Sequence, residues 1–175
     1  AGLREHAADL ERLALMLSAG ERLVTVTGAP GVGKSRRAFE VAAGEPRVWE
    51  GEVVGCDFAE GREEEALVRT LAVGLGVPLS PAPFAAGALE QIGLALASRG
   101  RTLVVFDNLD RLAPFAPQLV ILLGLAPAAQ FLVTSRERLR LRGEQVHELG
   151  ALSDSEATRL LLERGTSTRS AALLR

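Results

Sequence analysis

Among its 175 residues the chain has one cysteine, one methionine, one tryptophan and no tyrosine. A lone thiol, Cys56, excludes an internal disulfide framework and a cysteine-rich metal cluster, and it suits a reducing compartment, the cytoplasm. Net charge is only −2, so no basic excess advertises a nucleic-acid surface. The first residue is Ala and no cationic, apolar leader follows, which argues against a signal peptide and for a piece of a larger protein. Lysine is nearly missing too: of 20 basic residues only Lys34 is one, and Asn108 is the only asparagine. The heavy use of Arg, Ala and Leu reads as coding bias. Against that bias, a single lysine marks a place where a compact ammonium is needed and a planar guanidinium does not serve.

What is abundant is apolar residues, 47% of the chain, enough for one domain with a real core. The run from Leu112 to Ser135 carries no formal charge, yet Pro114, Pro117 and Pro127 cut it into pieces too short to span a bilayer. It reads as a buried helix over about 115–124, a turn and a buried strand over about 130–134. The remainder alternates. An amphipathic helix over Leu3–Leu17 precedes a short β-branched run, Arg22–Thr27, and a helix over Lys34–Ala43. A strand over Val48–Phe58 is interrupted by Gly51 and Gly55; helices follow over Glu63–Leu75 and Ala85–Arg99, separated by a proline-bearing loop. Arg101–Asp107 is an apolar strand ending in an acid, Gln145–Leu149 a last strand, and Ser153 and Glu156 open a final helix as a capping pair. Apolar strands alternating with helices predict a parallel sheet covered on both faces, an α/β doubly wound domain.

Gly28-Ala29-Pro30-Gly31-Val32-Gly33-Lys34-Ser35 has the spacing G-x-x-x-x-G-K-[ST]. Glycines let backbone N–H groups turn toward phosphate oxygens, and the helix that starts at Lys34 presents its positive end to them. Lys34 then reaches the β- and γ-phosphates, and the Ser35 hydroxyl is placed to ligate Mg²⁺. Because the motif follows a strand and opens a helix, an accidental Gly/Pro turn is the weaker reading. A carboxylate is expected at the end of a second buried strand to complete the metal side, and Leu103-Val104-Val105-Phe106-Asp107 supplies it. Many ATPases with this loop place an acid next, to polarise the attacking water. Here Asn108 stands there and cannot take a proton, while Asp110 lies two residues on. Phe131–Arg136 forms a third strand ending in polar residues, so Thr134, Ser135 and Arg136 reach the same crevice, with Arg136 a candidate sensor of the γ-phosphate. Arg138, Arg140 and Arg142 follow at alternate positions, the spacing of a solvated face rather than a nucleic-acid site.

TVTGAPGVGKSR, TLVVFDNLDRL and FLVTSRERLRLRGEQVHELGALSDSEATRLL together resemble the nucleotide-binding domain of STAND-class P-loop ATPases. The NB-ARC or AP-ATPase-like modules of bacterial signalling and transcriptional regulators are the nearest likeness, over roughly residues 3–165. The resemblance implies a five-stranded sheet in the order 5-1-4-3-2, ATP/ADP exchange as an on–off switch, Mg²⁺ as cofactor and a phosphate-binding segment running from Gly28 to Arg36. It also implies Lys34, Asp107, Asn108 and Arg136 in the catalytic roles, with Ser35 and Asp107 on the metal. The sequence departs from the family where a G-R-E signature is replaced by Leu3-Arg4-Glu5. Residues 1–152 are expected to form the nucleotide-binding domain and 153–175 the start of a helical lid. Winged-helix, effector and sensor-repeat domains are the expected partners elsewhere in a parent protein, with weak self-association of the part seen here. An actively remodelling ATPase and a degenerate interaction module are the competing readings.

Overall fold

The computed structural model describes residues 2–44, 51–78 and 87–150. Helix α1 (Gly2–Ser18) precedes strand β1 (Leu23–Thr27), the glycine-rich loop and α2 (Lys34–Ala43). Strand β2 (Glu52–Asp57), α3 (Glu64–Leu75) and α4 (Ala88–Arg99) follow. Then come β3 (Thr102–Asp107), a 3₁₀ helix (Leu109–Phe115), α5 (Pro117–Leu125), β4 (Ala129–Thr134) and β5 (Glu144–Glu148). The helix expected over 115–124 is α5, begun two residues later, and a 3₁₀ helix that was not expected precedes it. Pro117 has no N–H to give and takes the first helical position of α5, while Pro114 falls within the 3₁₀ turn before it. The final helix expected from Ser153, and the proline loop around Pro81 and Pro83, lie outside the described residues.

All strand pairs are parallel, in the order β2-β3-β4-β1-β5, which is the expected order counted from the opposite edge. Within the three central strands side chains alternate between two apolar layers. Val24, Val26, Leu103, Val105 and Leu132 face α1 and α2, where Leu13, Leu17, Ala38 and Val41 close over them. Val104, Phe106, Phe131 and Val133 face the opposite layer, with Leu67 and Leu71 of α3, Ile92 and Leu96 of α4, and Leu119 and Leu122 of α5. Phe106 stacks on Phe58 at 5.6 Å between ring centres and meets Phe131 at 4.8 Å, so half of the six phenylalanines lie in one row. Burial on both sides explains why β1, β3 and β4 show no polar alternation. Gly55, which interrupts β2, does not break the strand. The ring of Phe39 lies where its side chain would be, since a Cβ there would meet Phe39 Cε1 at 3.0 Å.

Two polar side chains tie the amino-terminal half to β4. Arg22 donates to the carbonyls of Leu123, Ala126 and Ala129, gathering the turn between α5 and β4. Gln130, buried in β4, donates to the carbonyls of Leu17 and Glu21 after α1. Among the described residues no helix is long and apolar enough to cross a membrane.

Candidate functional site

In a parallel sheet every strand ends on the same side, so the loops after β1, β2, β3 and β4 converge on one crevice. The loop after β1 is shaped by backbone. Gly28, Gly31 and Gly33 have φ of 147°, 78° and 92°, values an L side chain rarely adopts. At Gly33 the exclusion is also spatial, because a Cβ would lie 2.7 Å from Arg37 Nη1. Val32 is the loop's buried anchor, in the layer beneath α1 and α2, while Ala29, Pro30 and Gly31 stay at the surface. Lys34 folds back on its own loop, Nζ donating to the carbonyls of Gly28 at 2.9 Å and Ala29 at 3.0 Å. Burial lowers the ammonium pKa; Asp110 and then Asp107 oppose that, and Arg136 adds to it. Lys34, Asp107, Asp110 and Arg136 therefore share one electrostatic neighbourhood although they come from three separate segments. Ser35 follows on the first turn of α2, half-buried. The Arg36 side chain points the other way along α2 and pairs with Glu40.

The opposite wall is built of side chains. Asp107 ends β3 with its carboxylate buried; one oxygen accepts from the Thr134 hydroxyl at the end of β4, the other from Asn108 Nδ2 at 3.2 Å. Asn108 sits in the left-handed region (φ 60°), and its backbone N–H donates to Thr134 Oγ1 at 2.9 Å. The same Nδ2 donates to Asp57 at 3.0 Å, across from the adjacent strand. Asp57 is in register with Asp107, so two carboxylates stand side by side at the ends of β2 and β3 with the Asn108 amide between them. The 3₁₀ helix then carries Asp110 back to the end of β4, where Oδ1 accepts from the Ser135 hydroxyl and from the backbone N–H of Arg136. The Arg136 guanidinium is largely exposed, with Nε 3.6 Å from the same oxygen.

The residues expected from the sequence lie at strand ends, 28–35 after β1, Asp107 at the end of β3 and Arg136 after β4, while Asp57 at the end of β2 was passed over. Its only mark in the sequence is an acid ending a strand, the same feature that singled out Asp107, and the glycines of β2 obscured it. The alternating Arg138, Arg140 and Arg142 are exposed, and Leu139 and Leu141 between them pack on the core. Glu144 holds this segment, accepting from the N–H groups of Leu139, Arg140 and Leu141.

The residues suit a nucleotide phosphate and a hard divalent cation. Three glycines in conformations that free their amides precede the chain's single ammonium. Across from them, a buried carboxylate is held by two neutral donors, with no ion pair at Asp107 among the described residues. An oxygen donor so placed is what Mg²⁺ and its water shell take.

The family profile described as AAA domain matches residues 17–162. An uncharacterised protein of Mycobacterium tuberculosis is 29% identical over 165 residues, a match covering 93% of this chain and 41% of that protein. A second protein of the same species, whose name marks it as a candidate HTH-type transcriptional regulator, is 32% identical over 152 residues. That match covers 86% of this chain and 17% of the regulator, so the chain spans well under half of either relative. Among solved structures, Cdc6p from Pyrobaculum aerophilum superposes with a TM-score of 0.67 at 18% identity, over 92% of this chain and 49% of that one. A STAND protein with a tetratricopeptide repeat sensor from Pyrococcus horikoshii gives 0.52, also at 18%, over 90% and 25%. At such identities the likeness is one of fold.

Proposed function

The chain belongs to the AAA domain family of P-loop NTPases, and from that premise we propose that it is the ATP/ADP-binding core of a STAND-type switch, with slow hydrolysis. The observation that carries the reading is the loop after β1, with three glycines at positive φ around the start of α2 at Lys34, at the same sheet edge as the buried Asp107 that ends β3. In this reading the loop amides from Gly28 to Arg36 receive the phosphates, and Lys34 leaves its own carbonyls to meet the β- and γ-oxygens. Ser35 and Asp107 would hold Mg²⁺, which would supply charge neutralisation for phosphoryl transfer. Arg136 answers to the γ-phosphate. Ordering one water for attack falls to Asn108, whose amide N–H already serves two carboxylates and whose side chain accepts no proton. A missing water-positioning or finger residue costs a factor of about 10³–10⁵. Turnover slower than roughly one per minute is therefore expected, close to unassisted small GTPases.

The test combines two measurements on the purified chain, a calorimetric titration with ATP and a steady-state phosphate-release rate. Mg²⁺-dependent binding with slow release supports the reading. Asp107→Asn should keep metal-free binding and lose the part that a chelator removes from the parent. Equal chelator effects in both would take Asp107 off the metal. Asp110, which reaches the Lys34 side of the crevice, favours one alternative, a working remodelling ATPase. A rate above about one per second, abolished by Asp110→Ala, would replace the switch with that motor. The likeness to transcriptional-regulator and STAND proteins supports a parent with winged-helix, sensor and effector parts.

A further inference from the structure

Helix α1 is held by its apolar face, by His6 paired with Glu40 of α2, and by Asp9, a carboxylate with two partners. Asp9 Oδ2 accepts from Arg37 Nε at 2.8 Å, and Asp9 Oδ1 lies 2.9 Å from His147 Nε2 on β5. Arg37 is the buried member, 7% exposed, and its fork is divided. While Nε holds Asp9, Nη1 donates to the carbonyl of Val32 at 2.9 Å. The same Nη1 fills the space beside Gly33. Val32 and Gly33 are the two residues before Lys34, so one guanidinium joins α1 to the segment that sets the direction of the loop's amides and ammonium. A buried cation with one carboxylate partner stays in place only while that partner does, because an unpaired buried charge is costly. Arg37 is thus a side chain bonded both to α1 and to the phosphate loop.

We propose that Asp9 and Arg37 are positioning residues that couple the docking of α1 to the affinity of the phosphate loop for nucleotide. This rests on the nucleotide-binding reading. Linkage makes the coupling reciprocal: bound nucleotide tightens α1 on the domain by the same factor by which docked α1 tightens nucleotide. Asp9→Asn, which keeps the size of the side chain and removes its charge, should weaken Mg·ADP binding about five- to tenfold, the low end of such couplings. In the nucleotide-free chain it should speed hydrogen exchange at the amides of residues 32–35 while β3 and β4 exchange as in the parent. Arg37→Lys keeps the buried charge but cannot span both partners, and should do the same. The double variant should fall no lower than the weaker single one. In the parent, Mg·ADP should slow exchange along α1.

Asp9→Asn with parental Mg·ADP affinity and parental exchange at residues 32–35, even at a lower melting temperature, would overturn the coupling and leave a structural tie only. If Asp9→Asn fails to fold, Arg37→Lys carries the same two readouts. A parent that binds no Mg·ADP would overturn the functional reading instead. The exchange experiment, which needs no nucleotide, separates that failure from failure of the tie.

Discussion

The loop after β1 owes its shape to backbone, with three glycines at positive φ and a lysine bonded to the loop's own carbonyls. The wall facing it, after β2, β3 and β4, owes its shape to side chains, with Asp57, Asp107, Asn108 and Thr134 bonded to one another across three strands. One is a contiguous stretch whose lysine bonds only to carbonyls of the loop itself. The other is assembled from distant segments whose polar groups largely satisfy each other. A side chain of the first kind should matter to a ligand and little to stability. One of the second kind should matter to both.

Lys34→Ala is the sharpest test of that division and carries the largest expected effect. Deleting a charge-assisted bond of about 1.5–3 kcal/mol should weaken Mg·ATP binding roughly ten- to a hundredfold by calorimetry. The melting temperature should barely move, since only two bonds to surface carbonyls are lost. Parental affinity would break the comparison at its clearest point.

Thr134→Val preserves shape and removes the hydroxyl that serves both Asp107 and the Asn108 N–H. Leaving these groups short of a partner should cost about 1–3 kcal/mol and lower the melting temperature by several degrees. Mg²⁺ dependence of nucleotide binding should weaken with it, because Asp107 loses its fixed direction. Loss of metal dependence with no loss of stability would place Thr134 in the first class rather than the second.

The first class is legible in a sequence because its residues are neighbours. G-x-x-x-x-G-K-S is eight consecutive positions, and the buried strands beside it announce themselves by uninterrupted apolar runs. Asp57 was not legible, since its meaning depends on register with Asp107, and register between β2 and β3 is set by packing across the 44 residues that separate the two strands. Arg37 was hidden for a related reason. A basic residue on a helix reads as solvent-facing until α1 is known to bring Asp9 against it. Helix α5 was legible to within two residues from its apolar run, whereas the 3₁₀ helix over Leu109–Phe115 is too short to show a period of its own and was not.

Cys56 gives the smallest effect, nil near neutrality. It precedes Asp57 and points into the apolar layer, and burial raises its thiol from 9.0 to about 11. A folded-state value above the unfolded one leaves its contribution to stability intact below pH 9.0 and removes it as pH climbs toward about 11. The difference in urea midpoint between the parent and a Cys56→Ala variant should therefore be constant up to about pH 9 and change above it, as the parent loses the thiol's contribution. Thiol reagents should react with Cys56 in denaturant and scarcely without it.

The left-handed backbone of Asn108 limits what this site can become. Asparagine and aspartate tolerate φ near 60° because their short polar groups bond locally, whereas glutamate gains nothing there and carries a steric cost of roughly 1–2 kcal/mol. A single change to glutamate would install a proton acceptor only by also re-laying the turn and releasing Asp57 and Asp107 from their shared amide. On the proposed reading, a change from slow to fast hydrolysis at this position crosses a less stable intermediate. Aspartate, which accepts the backbone, would set a third negative charge against the other two. If the proposed reading holds, selection on rate alone meets a barrier at this position with either acid, set by the geometry of one turn.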